Sequence, residues 1–286
     1  MNVRGFRLTD TAVLTPTHRN LFPARLRQGN GRIWIIANER DTAVGYALTL
    51  PVPGLPGLLE LDGRILPQYQ RRGYGRHLLQ RLIQDLAKTG TWQLSHSVSD
   101  TNSPAAHFLR ACGFFIEHEE WTLVNEQLAM NNEQTEFDNC SLFIANWETA
   151  VTTFLTLYNK AFSPHPWYQP FTPAEVKATL ASPADLLFLH SPLATRHSSL
   201  PIGFAWLRLD DTVGEIEPIG IVPKWQGKGY GRILLTATLQ QLAQRGAATV
   251  KITAWRSNSA AIHLYQSLGF RHTHTHTYLA YNLPQD

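Results

Sequence analysis

Lys224-Trp225-Gln226-Gly227-Lys228-Gly229-Tyr230-Gly231-Arg232 stands between an apolar run, Ile219 to Val222, and an amphipathic run, Ile233 to Ala243. That order reads as strand, glycine-rich turn and helix. Gly227, Gly229 and Gly231 allow a tight turn and a close approach to the backbone N–H groups. The helix that follows aims its unpaired N–H groups and the positive end of its dipole at the same place. Such a place suits a phosphate or pyrophosphate.

The same word recurs at Gln70-Arg71-Arg72-Gly73-Tyr74-Gly75-Arg76. Residues 65–114 align without a gap onto 221–270 at a constant offset of 156, and 19 of those 50 positions are identical. The chain is therefore a duplication of a whole domain, because the period is too long for a solenoid. The polar stretch Asn125 to Asn139 reads as the connection. The division expected is an N-terminal domain over 1–126, a linker over 127–138 and a C-terminal domain over 139–286.

Composition agrees with two ordinary globular domains: 286 residues, 43% hydrophobic and 16% charged. A net charge of +3 with no dense Lys/Arg block does not point to nucleic acid. Cys112 and Cys140 are the only cysteines, so neither a disulfide framework nor a C-x-x-C site can be built. Met1 to Asp10 holds no apolar leader segment and no apolar run is long enough to span a membrane, so a cytoplasmic protein is expected.

Periodicity supplies the other elements. Strands are expected over Arg4 to Leu8, Arg32 to Ala37, Ala43 to Leu50, Leu58 to Leu66, Thr91 to Val98 and Phe114 to Val124. Helices are expected over Arg76 to Ala87 and Ala105 to Ala111. In the second half, helices are expected over Trp147 to Phe162, Glu175 to Leu180, Ile233 to Ala243 and Ala260 to Leu268. Its strands are Leu186 to His190, Ile202 to Leu209, Glu215 to Val222 and Thr249 to Trp255, followed by two terminal strands. A dinucleotide fingerprint would require an acid in the next strand. Trp92 to Val98 and Val250 to Trp255 contain none.

These residues resemble the GNAT acetyltransferase superfamily, whose acyl-CoA motif is Gln/Arg-x-x-Gly-x-Gly/Ala after a strand and before a helix. Gln70-x-x-Gly73-x-Gly75 and Gln226-x-x-Gly229-x-Gly231 match it in full. The second motif, an Asn, a short helix and Gly-Phe, occurs as Asn102 with Gly113-Phe114 and as Asn258 with Gly269-Phe270. The tandem arrangement further resembles mycothiol synthase and its relatives, where the resemblance implies that the C-terminal copy is the catalyst. The implied fold is α/β (α+β): two GNAT-like domains, each a mixed, mostly antiparallel sheet flanked by helices. The implied activity is N-acetyl transfer from acetyl-CoA to an amine, by direct attack in a ternary complex and without a metal. The amine could belong to a small molecule, to a protein N-terminus or lysine, or to a sugar as in mycothiol-type enzymes. A CoA-binding regulatory or structural protein without turnover is the reading from another class.

Acetyl transfer needs a base for the amine, donors for the oxyanion and a proton for the leaving thiolate. Glu215 and Glu217 lie two apart on the strand entering the motif, on a face expected to include Ile219 and Ile221. By similarity to the tandem relatives the base falls on Glu215, acting directly or through water, with Glu217 as fallback; the alternative is that both carboxylates are solvated or pair with an arginine. Tyr265, seven residues after Asn258, takes the register of the tyrosine beside the CoA sulfur. The resemblance places Ile221, Val222 and Pro223 along the pantetheine arm. It also places Gln226, Gly227, Lys228, Gly229, Tyr230, Gly231 and Arg232 around the pyrophosphate, with Asn258 on the arm or as a helix cap.

In the first half the matching cradle is Ile65, Leu66, Gln70, Arg71, Arg72, Gly73, Tyr74, Gly75 and Arg76, with Asn102. At offset 156, however, Leu59, Leu61 and Leu109 stand where the second half has Glu215, Glu217 and Tyr265. Glu60 and Asp62 fall on the opposite strand parity. The first half is therefore expected to bind acetyl-CoA, or a related phosphate ligand, without catalysing. Phe162, His165, Trp167, Tyr168 and Phe171 either wall an acceptor pocket or serve as core. The alternating His272, His274 and His276 read as a solvated strand face, not a metal site.

Overall fold

The computed structural model describes residues 1–16, 18, 31–126, 142–143, 146–166, 168–190 and 201–284. The expected linker 127–138, the loop 191–200, Trp167 and most of the early polar segment lie outside the described residues. In chain order the elements are β1 (Asn2–Gly5), β2 (Arg32–Ala37), β3 (Ala43–Pro51), β4 (Leu58–Ile65), α1 (Tyr74–Leu86), β5 (Gln93–Val98), α2 (Pro104–Ala111) and β6 (Phe115–Asn125). There follow β7 (Leu142–Phe143), α3 (Trp147–Phe162), α4 (Pro173–Thr179), β8 (Leu186–His190), β9 (Pro201–Asp210) and β10 (Val213–Ile221). The chain closes with α5 (Tyr230–Gln244), β11 (Thr249–Trp255), α6 (Ser259–Ser267) and β12 (Arg271–Asn282).

The chain divides into two compact units. The N-terminal unit comprises Met1–His118 together with Thr277–Asp286, and the C-terminal unit comprises Glu119–His276. In the N-terminal unit β1, β2, β3 and β4 pair antiparallel in that order, β4 pairs β5 in parallel, and Thr277 to Asn282 pairs antiparallel with β5. In the C-terminal unit β7, β8, β9 and β10 pair antiparallel, β10 pairs β11 in parallel, and Glu120 to Asn125 pairs antiparallel with β11. Each unit is thus the mixed, mostly antiparallel sheet flanked by helices that the sequence implies.

The apolar periodicity explains the layers. Leu78, Leu79, Leu82 and Leu86 form the buried stripe of α1, packed with Trp34, Ile36, Ala47, Leu61 and Leu94. The opposite face of that sheet buries Ile35, Tyr46 and Leu48 under Val13 and Leu14. In the C-terminal unit α5 and α6 cover Ala205, Leu207, Ile216 and Ile252. Helices α3 and α4 cover the other face, an aromatic layer of Phe154, Tyr158, Phe204 and Trp206.

Three expectations need correction. The first strand ends at Gly5, and Leu8–Val13 is a 3-10 turn. Asp10 draws the chain out of the strand there, accepting from the Arg7 N–H and from Arg4, each at 2.7 Å. Second, Arg271 to Asn282 is one strand, not two. No Gly, Pro or Asp interrupts that run to form a turn. Third, Glu215 and Glu217 do not share a face with Ile219 and Ile221. The β9–β10 register runs from Ile216 opposite Leu207 to Ile219 opposite Ala205, so Glu217 and Pro218 together oppose Trp206. This β-bulge inverts the alternation. Ile216, Ile219 and Ile221 face α5, while Glu215 and Glu217 face the α3 side. The sequence did carry the signal: Pro218 has no N–H to give to a ladder, and a proline inside a strand marks a bulge or an unpaired edge.

Candidate active site

The glycine turn is built as a donor cradle. Gly229 caps α5 in the left-handed region, at φ 86° and ψ −11°. The first helical bonds are donated by Arg232 and Ile233 to the Gly229 carbonyl, leaving the N–H groups of Gly229, Tyr230 and Gly231 outside the ladder. A Cβ added at Gly227 or Gly229 would meet no atom within 4 Å, so open space lies over the turn. The Gln226 side chain braces it, donating to the Ile221 carbonyl at 2.8 Å. The Val222 N–H is taken by Ile202 and its carbonyl by Trp225. The Ile221 and Val222 carbonyls each keep a second lone pair for a ligand amide. Lys228 lies 5.3 Å from the centre of the Trp225 ring, and Arg232 donates to Ser267 at 2.7 Å. Both cations border the cradle from positions fixed by their own neighbours.

The sheet opens beside this turn. β10 and β11 pair only as far as Ile216 opposite Ile252, yet β10 continues to Ile221 and β11 to Trp255. A wedge is left between them, and Glu217 sits at its start. Glu217 is exposed to solvent, with protein crowded close around its carboxyl, as at the floor of an open cleft. Its carboxyl is pushed up to about 7, first by desolvation and then by Glu215 and Glu120, against the opposing pull of Arg208 and Lys251. Glu215 is different: it pairs with Arg208 at 2.8 Å and with Lys251 at 3.1 Å. That is the arginine-paired arrangement left open in the sequence.

Tyr265 is buried, packed 6.0 Å from Phe270, and burial holds its phenol protonated well above the ordinary range, with Glu217 adding to the effect. Asn258 caps α6, accepting from Ala261 at 3.3 Å. Sequence reasoning missed Tyr158. It lies on the face that carries Glu217, donates to the Gln169 carbonyl at 2.9 Å, and is pushed up to about 12 by burial, with Tyr168 and Glu217 contributing. An isolated Tyr in an amphipathic helix gives no sign of this. Phe162, Tyr168 and Phe171 pack around Tyr158 and Phe154 as part of the aromatic layer. His165 lies 6.5 Å from Phe162.

The N-terminal unit repeats the cradle. Gly73 caps α1 at φ 85° and ψ −12°, and Gln70 donates to the Ile65 carbonyl at 2.9 Å. Leu66 donates to Val44 as Val222 does to Ile202. Arg71 adopts the left-handed conformation of its counterpart Gly227, with φ 60° against 70°. Phe108 stands over Gly75 where Leu264 stands over Gly231. Ser103, not Asn102, caps α2. Leu109 is buried in the place of Tyr265. Among the described residues there is no metal-binding group of His, Cys, Asp or Glu, and no helix is long and apolar enough to cross a membrane. His272 instead contacts Thr275 at 2.9 Å and Trp121.

The model of the Acetyltransferase (GNAT) family matches residues 6–114 and again residues 151–270. The chain belongs to the GNAT acetyltransferase family. This GNAT protein is an acyltransferase with two family regions. It is similar to the mycothiol acetyltransferase of Corynebacterium aurimucosum, 35% identical over 297 residues that cover 92% of this chain and 90% of that protein. It is also similar to the mycothiol acetyltransferase of Thermomonospora curvata, 30% identical over 256 residues covering 86% and 80%. Among solved structures, a GCN5-related N-acetyltransferase from Sphaerobacter thermophilus shares the fold, with a TM-score of 0.67, 15% identity and coverage of 100% and 96%. A tandem GNAT protein from the clavulanic acid biosynthesis pathway does so with a TM-score of 0.60, 16% identity and coverage of 90% and 84%.

Proposed function

We infer that this GNAT protein moves the acetyl group of acetyl-CoA to an amine acceptor by direct attack in a ternary complex, with Glu217 as base and Tyr265 beside the sulfur. The carrying observation is the position of Glu217 at the start of the wedge, with its carboxyl raised to about 7 and electrostatically coupled to Tyr265. A base with that value is half ionised at neutral pH and can take a proton from the acceptor's ammonium before attack or from the amine nitrogen as it attacks. Glu215 holds its two cations and acts on Glu217 through charge.

The cradles fit the proposed co-substrate. Gln226 to Arg232 would hold the pyrophosphate on N–H groups that no helical bond consumes, with Ile221 to Pro223 along the pantetheine arm. Gln70 to Arg76, with Ile65 and Leu66, would hold a second molecule in the same way. When bound, acetyl-CoA supplies the activated acyl group. Glu217 takes the amine proton, directly or through one water, and Tyr265 holds a proton at the departing sulfur.

The relatives' names make an amine acceptor of mycothiol acetyltransferases the first to try. The test is release of free thiol from acetyl-CoA over a panel of amines, with Glu217→Gln, Tyr265→Phe and Glu215→Gln. Turnover is expected, and the first two variants should abolish it or cut it by roughly 10² or more. CoA binding without turnover on any amine would instead establish a binding module.

A further inference from the structure

The N-terminal unit carries a carboxylate relay that the reading above does not use. The His18 ring has one nitrogen, Nδ1, 2.6 Å from the Tyr46 hydroxyl and the other, Nε2, 3.1 Å from Asp62 Oδ2. Tyr46 is almost wholly buried, and Thr15 hydrogen-bonds its oxygen. These contacts fit one continuous chain of donors and acceptors. Thr15 donates to the phenol oxygen, Tyr46 O–H donates to Nδ1, and Nε2–H donates to Asp62. Burial keeps the phenol protonated, which preserves that direction. Asp62 also accepts from the Gly63 N–H at 2.5 Å, and its side chain remains about half exposed. The relay runs from the buried Tyr46 to a carboxylate whose open side faces solvent.

The position of Asp62 in the sheet is the second observation. Gly45 pairs with Ile65 and Gly203 pairs with Ile221, so β3–β4 and β9–β10 can be compared rung by rung from these glycines. Three residues past the glycine, Leu48 faces Asp62 and Trp206 faces Glu217 with Pro218. Two residues further, Leu50 faces Glu60 and Arg208 faces Glu215. The β3–β4 ladder has no bulge, so the parity that set Asp62 apart from Glu217 at offset 156 disappears. Both carboxylates lie on the sheet face away from the cradle helix. β4 and β5 also part after Glu60 opposite Ser95, although β4 runs on to Ile65. Glu60 and Arg64 flank Asp62 on that face, one charge of each sign.

We propose that the N-terminal unit is a second acetyl-transfer centre, in which Asp62, held by His18 and Tyr46, is the base for an amine attacking acetyl-CoA on the Gly73 cradle. In that step the amine nitrogen forms the C–N bond, the thioester C–S bond breaks, and the amine proton passes to the Asp62 carboxylate and on to water. Leu109 offers no proton at the sulfur, so the thiolate leaves unassisted and is protonated by solvent. A thiol pKa near 8.5 permits that at a lower rate. This inference rests on the acetyl-CoA reading of the fold.

The full chain with Glu217→Gln and Tyr265→Phe together isolates the second centre. With the amine that wild type turns over fastest, residual thiol release is expected above the uncatalysed rate and roughly 10²- to 10⁴-fold below wild type. Adding Asp62→Asn should lower it by a further tenfold or more, and adding His18→Ala severalfold. Calorimetric titration with CoA supplies a readout besides turnover. Two equivalents per chain should bind, with the second unaffected by Asp62→Asn, so a misfolded unit cannot pass as a lost base. A residual rate indifferent to Asp62→Asn overturns the proposal, as does its absence when wild type turns over. Absence of turnover in wild type itself sinks both this and the C-terminal reading.

Discussion

Arg208 faces Glu215 across the β9–β10 ladder and holds its carboxylate at 2.8 Å, while Lys251 reaches the other oxygen from β11 at 3.1 Å. Both cations are substantially solvated, so the pairs contribute at most about 1 kcal/mol each. Their larger effect is to keep Glu215 occupied. Glu217→Gln is therefore expected to lower kcat/KM by roughly 10² or more, and Glu215→Gln by less than about tenfold. Steady-state kinetics of the two variants side by side checks this. Equal losses would return the base to Glu215.

The raised carboxyl of Glu217 predicts the acid side of the pH profile. A base must be ionised to act, so kcat/KM should rise with pH and level off above about 7. Glu215 is one of the charges that raise this value, so Glu215→Gln should move the inflection to lower pH. Arg208 opposes them, so Arg208→Gln should move it higher. The same group acts on stability with a definite sign. The folded state binds the Glu217 proton more tightly than the unfolded state. Stability therefore falls as pH rises from the ordinary carboxylate range towards 7, and Glu217→Gln should flatten that slope in denaturant titrations.

Tyr265 should leave no alkaline limb, because burial holds its proton through the neutral and mildly basic range. Tyr265→Phe is expected to reduce kcat by roughly 10² while CoA affinity, followed by calorimetry, changes little. A fall in affinity with kcat preserved would mark Tyr265 as part of the core only.

The two cradles test a backbone cost against each other. Arg71 accepts a left-handed conformation that Gly227 supplies without a side chain. A Cβ at Gly227 meets nothing within 4 Å, so Gly227→Arg should cost only the conformational penalty, about 1 kcal/mol in chemical denaturation. CoA binding at the C-terminal unit should survive the change, because Arg71 leaves the matching turn in the same conformation.

Much of this was legible from residues alone. Gln226 to Arg232 and its copy place a strand, a turn and a helix by glycine spacing, and the structure sets the two cap glycines within a degree of one another in φ and ψ. The stripe of Leu78, Leu79, Leu82 and Leu86 gave α1 its buried face. The errors at the candidate site depended on pairing between strands. An offset count assumes unbroken alternation, and one extra residue at Glu217–Pro218 sends Ile219 and Ile221 to the other side. The ion pairs of Glu215 join residues on three strands, and the Asp62–His18–Tyr46 relay joins residues far apart in the chain. Local patterns carry no record of either.

Thr277 to Asn282 completes the N-terminal unit by pairing with β5, and Gln93 bonds Asn282 at 3.0 Å there. A ribosome therefore releases the last strand of the first unit only after the whole second unit has been made. Removing 277–286 should expose the β5 edge and destabilise the N-terminal unit, although the cut lies far from residues 1–118 in sequence. Proteolysis protection mapped by mass spectrometry would reveal it as new cleavage within 1–118. Dividing the chain near residue 130 to study each half alone would leave the first piece without this strand.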